Sequence, residues 1–269
     1  MKRKTIDSDH TVVKDTSLFV RRWIEKQPSV KEETITDWLL FTISEKIPKV
    51  TYKLFTRSEE ARITGADWEW WFVYPTYSFK MRVQAKKLFP NKDNYPGIAH
   101  TNQYGLQIDK LLDDAAMKNY APFYAFYTAE SGDVLCKEKI NDEGVYMAGA
   151  NNIYKTFIGG GKRQVQSSDA LALSVALSCF FGCPLMVDSS EKESFAFFRR
   201  YFIDNILRNQ NESDDDSSIQ NTLGLYSEAP NYVSILLKNK ENIPGWWESE
   251  FSHDLEGANA IMIYDGREY

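Results

Sequence analysis

Cysteine and histidine are scarce in this 269-residue chain, with three residues of each type. The cysteines (Cys136, Cys179 and Cys183) cannot form a disulfide framework, because one of them would remain unpaired. Their spacing and the scattered histidines do not favour a zinc site either. We therefore expect reduced, buried thiols, as in a cytoplasmic protein.

A long uninterrupted apolar segment is also missing. The most apolar stretch, 170–187, contains serine, glycine and proline, so it predicts a buried helix followed by a strand instead of a membrane span. The basic start MKRK is not followed by an apolar stretch, so we expect no signal peptide here. These absences predict a cytoplasmic protein that makes no membrane contact.

Positive charge is not in excess, since 32 Lys and Arg residues face 38 Asp and Glu residues, for a formal net charge of −6. An acidic chain has no global attraction for nucleic acid, so any such binding requires a local basic patch. The candidates for that patch are Lys80, Arg82, Lys86, Lys87 and Lys92.

What the sequence does contain is an alternation of helical and strand patterns, which predicts one mixed α/β domain with a mixed sheet. Residues 1–28 are polar and are predicted to form a loosely attached N-terminal arm. The domain, 29–269, is predicted to consist of a core, 29–128, and a C-terminal extension, 129–269. The predicted elements are a helix from Ser29, a strand at 50–56, a hairpin of strands 67–74 and 79–88, a helix within 105–119, a strand at 122–128, a helix at 169–181, a strand at 184–188, a helix at 191–209 and a strand at 258–265.

The predicted hairpin brings four polar side chains together. A symmetric loop at 75–78 places Glu69 opposite Gln84. The same register places Asp67 opposite Lys86, and strand alternation puts both pairs on one face. Two carboxylates, a carboxamide oxygen and an ammonium group then converge in a small volume.

This group of side chains suits Mg²⁺, which prefers hard oxygen ligands and takes one or two carboxylates together with water and phosphate. The ammonium of Lys86 would lie beside the reacting water and act on it or on the transition state. An amphipathic hairpin with paired surface charges accounts for the same residues. Residue types and spacing alone leave both interpretations open.

Aromatic residues are concentrated in the first strand of the hairpin. Alternation places Trp68 and Trp70 on the face opposite the carboxylates, where we expect them to pack in the core. A module that docks a protein partner through this hairpin requires both rings to be exposed.

The blocks TGADWEWW (64–71) and RVQAKKL (82–88) resemble the PD-(D/E)xK, or restriction-endonuclease-like, nuclease superfamily. They look like its Mrr-type members, in which glutamine can replace the acid of the (D/E)xK motif. They are most similar to an uncharacterised bacterial family, often associated with phage defence, that shares the GADWEWW and VQAKKL blocks. The resemblance runs from about residue 29 to the C-terminus, but its specific motifs occupy only 64–88.

The resemblance implies a restriction-endonuclease-like core and a Mg²⁺-dependent (or Mn²⁺-dependent) endonuclease that hydrolyses DNA in defence against phage or foreign DNA. It implies metal-binding acids at Asp67 and Glu69, the third-position glutamine at Gln84 and the catalytic lysine at Lys86. The superfamily often adds a glutamate from its first helix. The candidates here are Glu32, Glu33 and Glu45, of which Glu33 is the preferred metal ligand.

One departure from the superfamily pattern keeps alternatives open. Gln84 is neutral, so the site has one negative charge fewer than a Glu-x-Lys site and should bind metal more weakly. A catalytically inactive nucleic-acid-binding or sensor protein on the same fold is the first alternative, and a protein-interaction module is the second. A homodimer and a partner protein from a defence system are the further associations we consider.

Overall fold

A computed structural model describes residues 8–55, 66–75, 78–89, 91–102, 105–135, 140–182, 225–226 and 228–267. The fold is mixed α/β, as the sequence predicts, with parallel and antiparallel strand pairs. The strand predicted at 184–188 and the helix predicted at 191–209 lie outside the described residues. No helix within the described ranges is long and apolar enough to cross a lipid bilayer.

The helices are α1 (Ser8–Lys26), α2 (Glu32–Lys46), α3 (Gln107–Met117), α4 (Ala150–Ile153), α5 (Ser167–Ala172), α6 (Asn231–Lys238), α7 (Trp247–Glu250) and α8 (Ser252–Leu255). The strands are β1 (Val50–Leu54), β2 (Trp68–Val73), β3 (Ser78–Lys87), β4 (Thr101–Asn102), β5 (Gly105–Leu106), β6 (Ala121–Tyr127), β7 (Val145–Gly149), β8 (Ser174–Ala176), β9 (Leu225–Tyr226) and β10 (Ala260–Asp265).

The chain divides into two compact units, and not at the predicted boundary between 128 and 129. The first unit comprises Met1–Ile43, Ala85–His100 and Phe123–Asp214, and the second comprises Ser44–Gln84, Thr101–Pro122 and Asp215–Tyr269. Each unit draws on distant parts of the sequence. For this reason a division into a core followed by an extension does not describe the fold.

The second unit is built on strands in the order β1-β10-β2-β3. The last strand of the chain, β10, lies between β1 and β2, antiparallel to the first and parallel to the second. Trp71, Trp247 and Tyr232 fill a core with Ile261 and Ile263 of β10. Burial of these large side chains stabilises the unit at roughly 25 cal/mol per Å² of apolar surface. This packing holds β2 and β3, which carry the candidate site.

The first unit contains strands β6, β7 and β8 in antiparallel order. The helix predicted at 169–181 is wrong beyond Ala172. There the chain forms β8 and then a 3-10 turn, Leu177–Phe181. Ser174 and Val175 pair with β7, so strand pairing overrides the local helical pattern.

Within the predicted N-terminal arm, the described residues from Ser8 onwards are not loosely attached, because α1 packs in the core of the first unit. Val13 and Val20 are fully buried, and the Ser17 hydroxyl accepts hydrogen bonds from the backbone N–H groups of Gly144 and Val145. A Cβ at Gly144 would lie 2.6 Å from the Ser17 carbonyl oxygen, so only glycine allows this close approach. Polar residues of α1 such as His10 and Ser17 are buried and hydrogen-bonded in this core, so the polar composition of the segment does not make it exposed.

Glu143, which precedes β7, is a buried carboxyl group of the first unit. Its Oε1 accepts a hydrogen bond from the Ser178 hydroxyl. Burial raises the pKa of Glu143 from 4.5 to about 7, against the opposing effect of hydrogen bonds from Ser178 and Ser17. Between these pH values the folded protein therefore binds a proton more tightly than the unfolded chain does.

The stability that Glu143 contributes is expected to be fully present below pH 4.5 and to be lost as the pH rises to about 7. Urea unfolding of wild type and Glu143→Gln across this range measures the effect. The difference in unfolding free energy should shift in favour of the variant by about 3 kcal/mol, at 1.36 kcal/mol per pKa unit. A pH-independent difference would contradict the assignment.

Candidate functional site

The hairpin of β2 and β3 has a register two residues away from the predicted one. Glu69 lies opposite Arg82, and not opposite Gln84. The four connecting residues are 74–77 instead of 75–78, since Val73 pairs with Ser78. A shift of two residues leaves every side chain on its predicted face, because the side-chain period of a strand is two.

In this register, Asp67 and Gln84 meet at one end of the hairpin. The Gln84 side-chain nitrogen donates a hydrogen bond to Asp67 Oδ2 over 2.6 Å. The backbone of Asp67 is held on both sides, since its N–H donates to the Val83 carbonyl and its carbonyl accepts from the Asn259 N–H. Asp67 is half-buried and Gln84 is 3% exposed. The structure thus brings together one of the two predicted acids and the predicted amide.

A third polar side chain, which the sequence analysis missed, continues this contact. Gln107, the first residue of α3, donates from Nε2 to Gln84 Oε1 over 2.9 Å. Both ends of the Gln84 amide are therefore occupied. Nothing in the local pattern around Gln107 indicated this role, since the contact depends on how α3 packs against β3.

Lys86 follows Gln84 by two residues on β3, so the two side chains leave the strand on the same side. The Lys86 ammonium lies 3.9 Å from Glu32 Oε1, with the lysine side chain 10% exposed and the glutamate 25%. Gly97 leaves room for the lysine stem, since a Cβ there would lie 3.1 Å from Lys86 Cδ. Lys86 is thus held within the first unit by a carboxylate and a glycine.

Glu32, and not the preferred Glu33, is the α2 glutamate that reaches β3. Its Oε2 also accepts from the Lys87 backbone N–H over 2.5 Å. Glu33 and Glu45 are exposed on the same helix. Helical rotation of 100° per residue separates neighbouring glutamates, and the packing of α2 selects between them.

Glu69 has partners that differ from those of a metal ligand. Its side chain is fully buried, and Oε1 accepts hydrogen bonds from the Trp71 ring N–H and, over 2.6 Å, from the Tyr232 hydroxyl. Burial, followed by the charge of Glu69, raises the pKa of the Tyr232 hydroxyl far above its usual range. Tyr232 therefore remains protonated and donates to the carboxylate.

Arg82 compensates the buried charge of Glu69. Its guanidinium lies 3.9 Å from Glu69 Oε2 and 3.3 Å from Asp114 Oδ2, and it donates to the Glu256 carbonyl over 2.8 Å. It also stacks on the Tyr120 ring, 4.4 Å from the centroid. Burial alone lowers the Arg82 pKa, but Tyr120 and the two carboxylates outweigh this and raise it. This buried ionic cluster lies next to the Asp67–Gln84 pair on the same face of the hairpin.

This packing removes Arg82 and Lys80 from the basic patch that the sequence predicts at the surface. Arg82 is fully buried and paired within the protein. The Lys80 ammonium lies 3.7 Å from the Tyr120 ring centroid, and burial lowers the pKa of Lys80 to about 8 against the opposing charge of Glu69. Neither residue presents a charge to a polyanion at the surface, whereas Lys92 is exposed.

Trp68 and Trp70 are each only 1% exposed. The core position expected for them is confirmed. The exposed aromatic face that a protein-docking hairpin requires is therefore not present on these two residues.

The residues that meet at the end of the hairpin match Mg²⁺ in donor chemistry but form a minimal set. Asp67 supplies a carboxylate and Gln84 a carboxamide oxygen, both hard donors. Within the described part of the chain, no group of three or more His, Cys, Asp or Glu side chains could hold a metal ion. A cation here would depend on water and substrate oxygens for the rest of its shell.

Comparison with known proteins gives one positive result. No curated protein and no solved structure matches the chain. A family described as a family of unknown function, DUF6615, matches over residues 10–268, which include most of α1 and both motif strands. Because this match spans nearly the whole sequence, the chain belongs to the DUF6615 family.

Proposed function

We propose that this protein is a Mg²⁺-dependent nuclease that hydrolyses DNA phosphodiester bonds, in defence against phage or other foreign DNA. Asp67 and Gln84 hold the cation, Lys86 acts at the reacting phosphate, and Glu32 positions Lys86. Glu69, predicted from sequence as a ligand, has a supporting role in this proposal, because its oxygens face Trp71, Tyr232 and Arg82.

The observation that supports the proposal most is the contact between Asp67 and Gln84, with Lys86 two residues further along the same strand. An acid, an amide and a lysine are the groups that phosphodiester hydrolysis uses, for the metal and for the developing charge. A hairpin with surface ion pairs gives no reason to keep Gln84 and Lys86 almost completely buried.

The bound cation supplies Lewis-acid stabilisation of the charge that develops on the phosphate. The chain's own residues orient the attacking water and the phosphate. The Lys86 Nζ carries three donors, which can hold the attacking water or a phosphate oxygen in place. The carboxylate of Glu32 holds this ammonium in position and accepts from the Lys87 backbone, so the glutamate itself is fixed.

Asp67→Asn is expected to weaken Mg²⁺ binding by about tenfold or more and to slow cleavage by a similar factor. The reason is that this carboxylate is one of only two side-chain donors that the protein contributes. The fold should be retained, since asparagine has the same shape and can accept from Gln84. Isothermal titration with Mg²⁺ and cleavage of plasmid DNA measure both effects. Asp113→Asn, at an exposed position of α3, is the matched control. Equal Mg²⁺ affinity in wild type and Asp67→Asn would exclude this acid as a ligand.

The decisive assay for the function uses purified protein with linear and circular DNA and with RNA, in Mg²⁺, Mn²⁺ or EDTA. Metal-dependent cleavage of DNA supports the proposal. Binding of DNA without cleavage under every metal condition would favour the inactive nucleic-acid-binding or sensor protein instead.

A further inference from the structure

The side chains of Gln107, Gln84 and Asp67 form a directed chain of hydrogen bonds within the second unit. Gln107 donates to the Gln84 oxygen over 2.9 Å, and the Gln84 nitrogen donates to Asp67 Oδ2 over 2.6 Å. The direction follows from chemistry, because an ionised carboxylate only accepts, so the atom of Gln84 that meets it has to be the NH₂ group. The Gln84 oxygen consequently faces Gln107.

This direction has a consequence for cation binding. With the NH₂ group of Gln84 against Asp67, the glutamine turns a donor, and not a lone pair, towards the carboxylate. Both oxygens can face one cation only after the Gln84 amide rotates by half a turn. Its NH₂ group then faces Gln107, which has to turn as well and accept through its own oxygen. Since Gln107 is also an amide, the two groups can turn together without losing the hydrogen bond between them.

We propose that Gln107 is a positioning residue that sets the orientation of the Gln84 amide, and through it the affinity of the Asp67–Gln84 pair for a divalent cation. Without a cation, the Gln84 NH₂ group donates to Asp67 and the Gln84 oxygen accepts from Gln107. With a cation both amides are reversed. This inference rests on the proposed function. It also explains how a neutral glutamine at position 84 serves the site, since it stabilises the metal-free carboxylate where a second acid would repel it.

Gln107→Glu tests this assignment, because a glutamate can only accept, so the Gln84 amide then has an acceptor on each side and loses its preference for the orientation in which its NH₂ group faces Asp67. The first readout is the side-chain amide NMR spectrum of the full chain labelled with ¹⁵N-glutamine. Gln84→Glu and Gln107→Met identify the two resonance pairs. In wild type, both pairs should shift with one midpoint during a Mg²⁺ titration. In metal-free Gln107→Glu, the Gln84 pair should already be shifted from its wild-type position towards its Mg²⁺-bound position.

The second readout is Mg²⁺ affinity by calorimetry, with the added charge controlled by a double-mutant cycle. In the Gln84→Glu background the carboxylate has no orientation to set, so Gln107→Glu acts there through charge alone. We expect Gln107→Glu to tighten binding about tenfold more in wild type than in that background. Equal effects in both backgrounds, or a Gln107 resonance that ignores Mg²⁺ while Gln84 shifts, would overturn the inference.

The two readouts also separate this inference from the function on which it rests. If wild type binds Mg²⁺ but the double-mutant cycle shows no coupling between positions 84 and 107, the proposed metal site stands and Gln107 has no role in it. Wild type that binds no Mg²⁺ overturns both, even if the metal-free spectra show a shifted Gln84 pair in Gln107→Glu.

Discussion

Lys86→Met is expected to cleave DNA on the order of 100-fold more slowly than wild type at saturating Mg²⁺, the usual cost of losing a group that acts on a proton or on transition-state charge. Methionine keeps the apolar stem that lies against Gly97 and removes only the ammonium. Glu32 loses its ion pair, but its side chain is 25% exposed, so water can solvate the carboxylate. Initial rates of plasmid cleavage across a Mg²⁺ titration measure the loss.

Lys26→Met, at an exposed position of α1 in the same unit, is the matched control for removing a lysine charge. It should retain wild-type rates, and thermal melts should show that both variants remain folded. Cleavage by Lys86→Met at the wild-type rate throughout the titration would show that this lysine is not used in the chemistry.

The largest effect on stability is expected from Arg82→Met. The substitution leaves the buried Glu69 carboxylate without its cation, and Asp114 loses a partner that lies 3.3 Å away. Removing one partner from a buried ionic cluster costs about 3–5 kcal/mol, because the remaining charge is desolvated and unpaired. Urea unfolding measures this difference, with Arg22→Met at an exposed position of α1 as the control. A change no larger than that of the control would mean that Glu69 finds compensation elsewhere.

Glu69→Gln, measured by urea unfolding and by calorimetric titration with Mg²⁺, separates the two roles considered for this acid. If Glu69 is a member of the buried cluster, the substitution should lower the unfolding free energy and leave the dissociation constant for Mg²⁺ near the wild-type value. If Glu69 is the metal ligand predicted from the sequence, the substitution should weaken Mg²⁺ binding as strongly as Asp67→Asn does. We expect the first result, because Tyr232 and Trp71 already donate to its Oε1.

The hairpin shows how far local sequence information reaches. Period-two alternation correctly places Trp68 and Trp70 in the core, and it puts Asp67 on the side of the hairpin where it meets Gln84. The register was missed by two residues, because it depends on pairing with β10 and β9, which lie far away in the sequence. The predicted faces survive this error, since each shift of two residues restores the alternation.

Residues outside the two motif blocks were harder to predict. Three glutamates of α2 have the same chemistry, and only the packing of α2 brings Glu32 to Lys86. Gln107 begins a helix without any motif, and its contact with Gln84 spans 23 positions. Side-chain identity gives the kind of interaction a residue can make, whereas the partner depends on contacts between distant segments.

The sequence by itself determined the mixed α/β class, the two motif strands and the shared face of Asp67 and Gln84, because these follow from periodicity along a few consecutive residues. Tertiary structure alone decided that Glu69 is enclosed by Arg82, Tyr232 and Trp71, and that α1 is part of a core. The physical reason is desolvation. Whether a carboxylate is available to a cation or must be compensated internally depends on what buries it, and the groups that enclose Glu69 come from β2, β3 and α6.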